Sequence, residues 1–150
     1  MLIGRGMFAC HDAAMADLPD NVRALFERAN FVHVASVLPS GAPHSVPVWA
    51  GMEGDRIAFF TQPASRKARN LAADPRVALS VVDHDNPYLT AQVRGRVVET
   101  VEGEAALAIM DRMSERYIGR PFPYRQGIAL LVEPEKAAVQ ELPFDHTPTV

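Results

Sequence analysis

The feature that most limits the fold of this chain is the close spacing of its turns between residues 31 and 61. Residues 31–38 are β-branched and aromatic, and Pro39-Ser40-Gly41-Ala42-Pro43 supplies turn chemistry. Residues 44–52 form a second extended run, Glu53-Gly54-Asp55 turns again, and residues 56–61 form a third. A parallel crossover needs a dozen or more residues, so connections this short join antiparallel neighbours. The segment reads as an antiparallel meander.

Around it the pattern alternates between periods. Val22, Leu25, Phe26 and Ala29 repeat at helical spacing after Pro19 and predict a short helix over residues 19–29. Ser65 is a suitable N-cap for a helix over 65–73, which Asp74-Pro75 stops. Residues 76–83 and 88–100 read as strands separated by the His84-Asp85-Asn86-Pro87 loop, and Gly95 inside the second predicts a bulge or a close backbone approach. Residues 102–117 form the longest helix, with Met110 and Met113 in core or dimer packing. Gly119-Arg120-Pro121-Phe122-Pro123 breaks it. Residues 128–132 are a final core strand, continuing after Pro134 into 137–142. About six strands with two or three helices favour a mainly β closed barrel, because closure removes exposed edges.

The 150 residues suit one domain, and an apolar fraction of 48% is ample for one core. A net charge of −3 argues against a duplex-binding protein, which would carry a basic excess. With one cysteine there is no intramolecular disulfide. No apolar run approaches the roughly 20 residues of a membrane span. Residues 1–10 make a poor signal peptide, so the expectation is a cytoplasmic protein. His11, His33, His44, His84 and His146 lack a metal-ligand spacing, and no metal is expected. His33 reads as a hydrogen-bonded structural histidine and His44 as a turn-adjacent surface one. Neither a P-loop nor a G-x-S-x-G pattern occurs, which leaves hydrolase chemistry without support.

The stretch from Thr61 to Lys67 carries the most chemistry. A strand ends at Thr61, the four residues from Gln62 to Ser65 turn, and a helix begins with Ser65 as its N-cap. The first N–H groups of a helix have no internal acceptor and sit at the positive end of its dipole, so an anion there satisfies both. Arg66 and Lys67 add full positive charges where cations ordinarily cost stability. Taken alone, this is also what an ordinary capped helix with two solvated basic residues looks like. Pro47, inside the run from His44 to Trp49, cannot donate to a ladder. It fits an edge strand, or a strand whose free backbone groups face a flat heterocycle.

The order of these residues resembles a known family. Phe59-Phe60-Thr61, Arg66-Lys67, Asn70-Leu71 and Asp74-Pro75-Arg76-Val77 are similar to the pyridoxamine 5′-phosphate oxidase superfamily. Asp85-Asn86-Pro87-Tyr88, the run from Val93 to Val97, and the run from Tyr117 to Pro123 resemble its branch that uses the deazaflavin coenzyme F420. The resemblance spans about residues 31–142. It implies a six-stranded split β-barrel working as a homodimer, with cofactor sites at the subunit interface. It implies phosphate contacts from Ser65, Arg66 and Lys67, and ring contacts from Val46, Pro47, Val48 and Trp49, largely through backbone. Phe60 and Thr61 would line the ribityl chain and ring, and Tyr88, Leu89 and Thr90 would approach from one subunit or the other.

The departures narrow the function. Pyridoxamine phosphate oxidases have an arginine at the Ser45 position, a lysine at the Ala50 position and an arginine- and tryptophan-rich tail; this chain has none of the three. The expectation is therefore a reductase exchanging hydride between F420 and a small electron-poor organic substrate, rather than a vitamin B6 oxidase. FMN in the same fold is the alternative, because both cofactors end a ribityl chain in phosphate. A non-catalytic module that stores a cofactor or a tetrapyrrole-like ligand is another. The longer tail of F420 calls for further basic surface, with Arg5, Arg69, Arg120 and Arg125 as candidates. No proton donor stands out, Tyr88 included.

Overall fold

A computed structural model describes residues 9–10 and 17–149, so Arg5 and His11 lie outside the described residues. The elements are β1 (Ala9–Cys10), α1 (Asp20–Glu27), β2 (Val32–Val37), β3 (Pro43–Val48), β4 (Ala50–Glu53), β5 (Arg56–Thr61), α2 (Arg66–Ala73), β6 (Arg76–Val82), β7 (Leu89–Val101), α3 (Gly103–Ile118) and β8 (Ile128–Glu141). All strand pairings are antiparallel, in the order β3-β2-β6-β7-β8-β5-β4, with β1 added to β8.

The second run of the meander is two strands where the sequence predicts one. Val48 pairs with Val32 of β2, whereas Ala50, two residues on, pairs with Phe59 of β5. Trp49 is thus the point where the chain steps from one end of the sheet to the other. The two ends meet through the covalent chain and not through a ladder, which makes this a split barrel rather than the closed one that edge avoidance predicts. Splitting that run turns six strands into seven, and two-residue β1 is the eighth. Between Val132 and Ala137 the expected break is absent: β8 runs straight through Pro134.

Pro134 is tolerated because the ladder shifts register there. Arg94 pairs with Lys136 but Gly95 with Pro134, leaving Glu135 as the extra residue of a bulge. Gly95 meets both expectations for it, since a Cβ at that position would lie 2.2 Å from the Glu133 carbonyl oxygen.

The barrel interior holds Val32, Val34, Ile57, Phe59, Leu79, Val81, Val93 and Val132, and α1 closes one end with Val22, Leu25 and Phe26. Each such side chain contributes about 1.5–3 kcal/mol on leaving water. A second, smaller cluster lies outside the barrel, where Ile109 and Met113 of α3 pack on Ala58, Ala129 and Leu131. Trp49, Phe60 and Tyr117 rim this satellite core. Among the described residues no helix is long and apolar enough to cross a membrane, and no group of three His, Cys, Asp or Glu is placed to hold a metal.

Candidate functional site

Where β3 breaks into β4, the chain forms one wall of an open cleft of about 310 Å³. Pro47, Val48 and Trp49 contribute that wall, Phe60 the floor from β5, and Lys67 a cation from α2; Phe31 and Phe122 complete it. Because β3 ends the ladder order, its outer edge pairs with no strand among the described residues. That is the position in a sheet where proline does least harm.

Lys67 owes its place to a chain of polar contacts. Thr61, at the end of β5 and 8% exposed, donates its hydroxyl to Ser65 Oγ at 2.9 Å. Ser65 Oγ also accepts the Ala68 N–H at 3.2 Å, the usual N-cap bond. The Ser65 hydroxyl hydrogen is left to donate elsewhere. Deeper in, Asn70 Nδ2 donates to Ser36 Oγ at 3.1 Å and pins α2 to β2. The Arg66 and Lys67 N–H groups stand in the first turn, where a helix offers no acceptor.

Partial burial holds the Lys67 ammonium below its ordinary pKa. Neither Lys67 nor the exposed Arg66 has an ion pair among the described residues. One helix turn thus carries a partly desolvated cation with no counter-charge among the described residues, two first-turn amides and the Ser65 hydroxyl. Groups of this kind are complementary to an anion.

The opposite end of the cleft is aromatic. Trp49 stacks on Tyr117 with centroids 4.9 Å apart at 10°, and meets Phe60 and Phe122 edge-on at 6.1 Å each. Phe60 and Phe122 meet edge-on at 4.8 Å. Planar apolar walls of this kind favour a planar ring system. Tyr117 fixes the step in the chain as well: its hydroxyl donates to the Asn30 carbonyl and accepts the Ala50 N–H at 3.1 Å.

Of the residues singled out from sequence, Pro47, Val48, Trp49, Phe60 and Lys67 line the cleft. Thr61, Ser65 and Arg66 stand directly beside it through the loop, and Val46 lies one residue up β3, opposite Val34. Tyr88, Leu89 and Thr90 are not brought to it within this chain. Leu89 and Thr90 pair with Glu141 and Gln140, and Tyr88 packs against Phe144 and His146. Phe31 and Phe122 are cleft residues that sequence reasoning missed. The only signal was Phe122's place in the run from Gly119 to Pro123, which reads first as a helix stop.

Three side chains differ from expectation. Arg125 is not free for an anionic tail, since Asp111 holds it with bonds of 2.6 and 3.0 Å. His33 is not a bonded structural histidine; the alternation of β2 turns it outward, onto a broad sheet face shared with Ala35, Ser45, Ala78 and Ser80. His44 is half-buried, with its Nδ1 unpartnered, rather than a plain surface residue.

A family model described as pyridoxamine 5′-phosphate oxidase matches residues 18–140. A pyridoxine/pyridoxamine 5′-phosphate oxidase of Bacteroides thetaiotaomicron is 32% identical over 111 residues, which are 73% of this chain and 48% of that protein. The chain thus spans about half the length of this curated relative. The solved structure of an F420 reductase is 31% identical with a TM-score of 0.71, covering 80% of this chain and 98% of that one. A conserved hypothetical protein from Mycobacterium tuberculosis shares the fold at 21% identity and a TM-score of 0.73, covering 92% and 95% of the two chains.

Proposed function

The chain belongs to the pyridoxamine 5′-phosphate oxidase family, and we propose that it is an oxidoreductase that works with coenzyme F420. The observation that carries this reading is Lys67, a partly buried cation with no counter-charge among the described residues, at one end of a cleft walled by Pro47, Val48, Trp49 and Phe60. A phosphate on a ribityl chain supplies the missing anion, and a flat ring fits the aromatic walls.

When bound, such a cofactor supplies hydride transfer with a small electron-poor organic substrate. The chain's own part is to hold and to orient. Lys67, the Ser65 hydroxyl and the first-turn amides of α2 grip the phosphate, with Arg66 adding charge from outside. Thr61 orients Ser65. The backbone from Val46 to Trp49 and the Phe60 ring would flank the ring system. Ser45 and Ala50 offer no charge to a pyridoxamine phosphate, which separates this reading from the activity named for the Bacteroides relative.

A second copy completes the site in this reading. The broad face around Ala35, Ala78 and Ser80 hollows to about 410 Å³ and mixes these small residues with longer polar ones such as Gln92 and Arg94, a surface that suits contact with a second copy. Tyr88, Leu89 and Thr90 would then reach the cleft of the partner. Sedimentation should give twice the chain mass, and Ala78→Arg should shift it to the monomer. A monomeric parent protein would refute this part.

FMN is the second reading, favoured by one observation. Of the basic residues that a longer anionic tail needs, Arg125 is committed to Asp111. Titrating the purified protein with F420 and with FMN, then repeating with Lys67→Ala, decides between them. Tight FMN binding without F420 binding overturns the F420 assignment. Unchanged affinities in Lys67→Ala overturn the phosphate seat. Binding with no turnover of a panel of reducible substrates overturns the enzymatic reading in favour of storage.

A further inference from the structure

Residues 119–127 join α3 to β8 and carry Phe122, a cleft wall that belongs to neither helix nor strand. Gly119, at φ 70°, ends α3 in the left-handed conformation and turns the chain back along the helix. At Phe122 the returning segment is held through one carboxylate. Asp111, on α3, accepts the Phe122 N–H at 3.1 Å and both Arg125 Nη atoms at 2.6 and 3.0 Å. Arg125 in turn donates to the Phe122 carbonyl at 2.9 Å. Both backbone polar groups of Phe122 are therefore gripped by a single bidentate pair. Further along, Gln62 Nε2 donates to the Gln126 carbonyl at 2.9 Å and ties the segment to the loop that leads into Ser65.

An exposed ion pair contributes little to stability by itself. Its geometry here does something else: it fixes where the Phe122 ring stands against Phe60 and Trp49. We propose that Asp111 is a positioning residue, latching this strap through Arg125 so that Phe122 walls the cleft and sets the thickness of planar ring it admits. The inference depends on the F420 or FMN reading only for what fills the cleft.

Trp49 is the only tryptophan in the chain and touches Phe122, so its fluorescence reports the wall without any ligand. Acrylamide quenching of Trp49 in the ligand-free protein is expected to rise at least about twofold in Asp111→Ala and in Phe122→Ala, as unlatching exposes the indole. Arg125→Lys keeps the charge but loses the fork, and should fall between these and the parent. Asp111→Ala on top of Phe122→Ala should add nothing, because the latch acts only through that ring. Affinity for whichever cofactor binds should drop about 5–20-fold in Asp111→Ala, a tenfold loss being about 1.4 kcal/mol.

Should Asp111→Ala fail to fold, Asp111→Asn and Arg125→Lys serve instead. Parent-like quenching in the folded variants, or additive effects in the double variant, overturns the latch. If the parent protein binds neither cofactor, the proposed function falls while the quenching series still decides the latch.

Discussion

The Tyr117 ring lies flat on Trp49 at 4.9 Å while its hydroxyl bonds the Asn30 carbonyl and the Ala50 amide, so one α3 side chain holds both faces of the step between β3 and β4. Tyr117→Phe keeps the stack and strands two buried backbone groups. It should cost about 1–3 kcal/mol in thermal unfolding. Tyr117→Leu loses the stack as well and should cost more, with Trp49 emission shifting in the second variant alone. Burial raises the phenol above its ordinary pKa of 10.0. The folded state thus favours the protonated form, and this contribution is complete below pH 10.0 and is lost as pH rises through the folded value. Phenolate absorbance at high pH, lagging behind that of the unfolded chain, checks the sign.

Lys67 predicts opposed effects on stability and affinity. Its charge is partly buried, without an ion pair among the described residues, and at the positive end of α2. Lys67→Gln should therefore leave the ligand-free protein as stable as the parent or up to about 1 kcal/mol more so. The same change should weaken phosphate-bearing ligands by roughly 10–100-fold, the loss of a charge-assisted contact. With the folded pKa lowered, the unfolded chain binds the extra proton. Stability attributable to Lys67 therefore rises with pH between the lowered value and the ordinary 10.5. Paired melting curves and ligand titrations across alkaline pH measure both halves.

The proposed anion seat could be read from the sequence because its ingredients are local. Ser65, Arg66 and Lys67 are neighbours, and helix-end electrostatics needs no tertiary knowledge. The break at Trp49 was not, because residues 44–52 carry one unbroken extended pattern. Only the curl of the sheet, which sends Val48 to β2 and Ala50 to β5, divides them. Phe31 and Phe122 escaped for a related reason. One precedes a strand and the other follows a helix, and the fold brings them to one cleft across 90 intervening residues. Gly95 was readable because a glycine inside a β-branched run has few local explanations, and Pro134 on the facing strand supplies the tertiary one.

Gly95 leads to a sharp test. A Cβ there would meet the Glu133 carbonyl oxygen at 2.2 Å and its carbonyl carbon at 3.0 Å, both backbone atoms of the adjacent strand. No side-chain rotation relieves that contact, so β7 and β8 must part locally. Gly95→Ala should destabilise by about 1–3 kcal/mol despite the gain usually expected for alanine over glycine in a strand. Gly54→Ala, with open space around its Cβ but a φ of 62°, is the contrast. Its cost would be backbone strain of about 1–2 kcal/mol without opening of the ladder. Amide exchange across the β7–β8 pairs distinguishes the two, rising near Glu133 only in Gly95→Ala.

Asp74 and Arg76 define an acid-sensitive brace where α2 passes into β6. Arg76 Nη2 reaches Asp74 Oδ2 at 2.6 Å, its Nε donates at 3.0 Å, and its backbone amide donates at 3.2 Å. These bonds, the side-chain ones foremost, lower the Asp74 pKa from 3.8 to about 2. A depressed carboxyl contributes stability that is complete above pH 3.8 and is lost as pH falls through about 2. Arg76→Gln removes the guanidinium but leaves the backbone donor. Its Asp74 should then titrate between about 2 and 3.8, seen in the side-chain carboxyl resonance. Acid unfolding of the two proteins should differ above pH 3.8 and converge below 2. A resonance titrating at 3.8 in the parent would show that the brace does not form in solution.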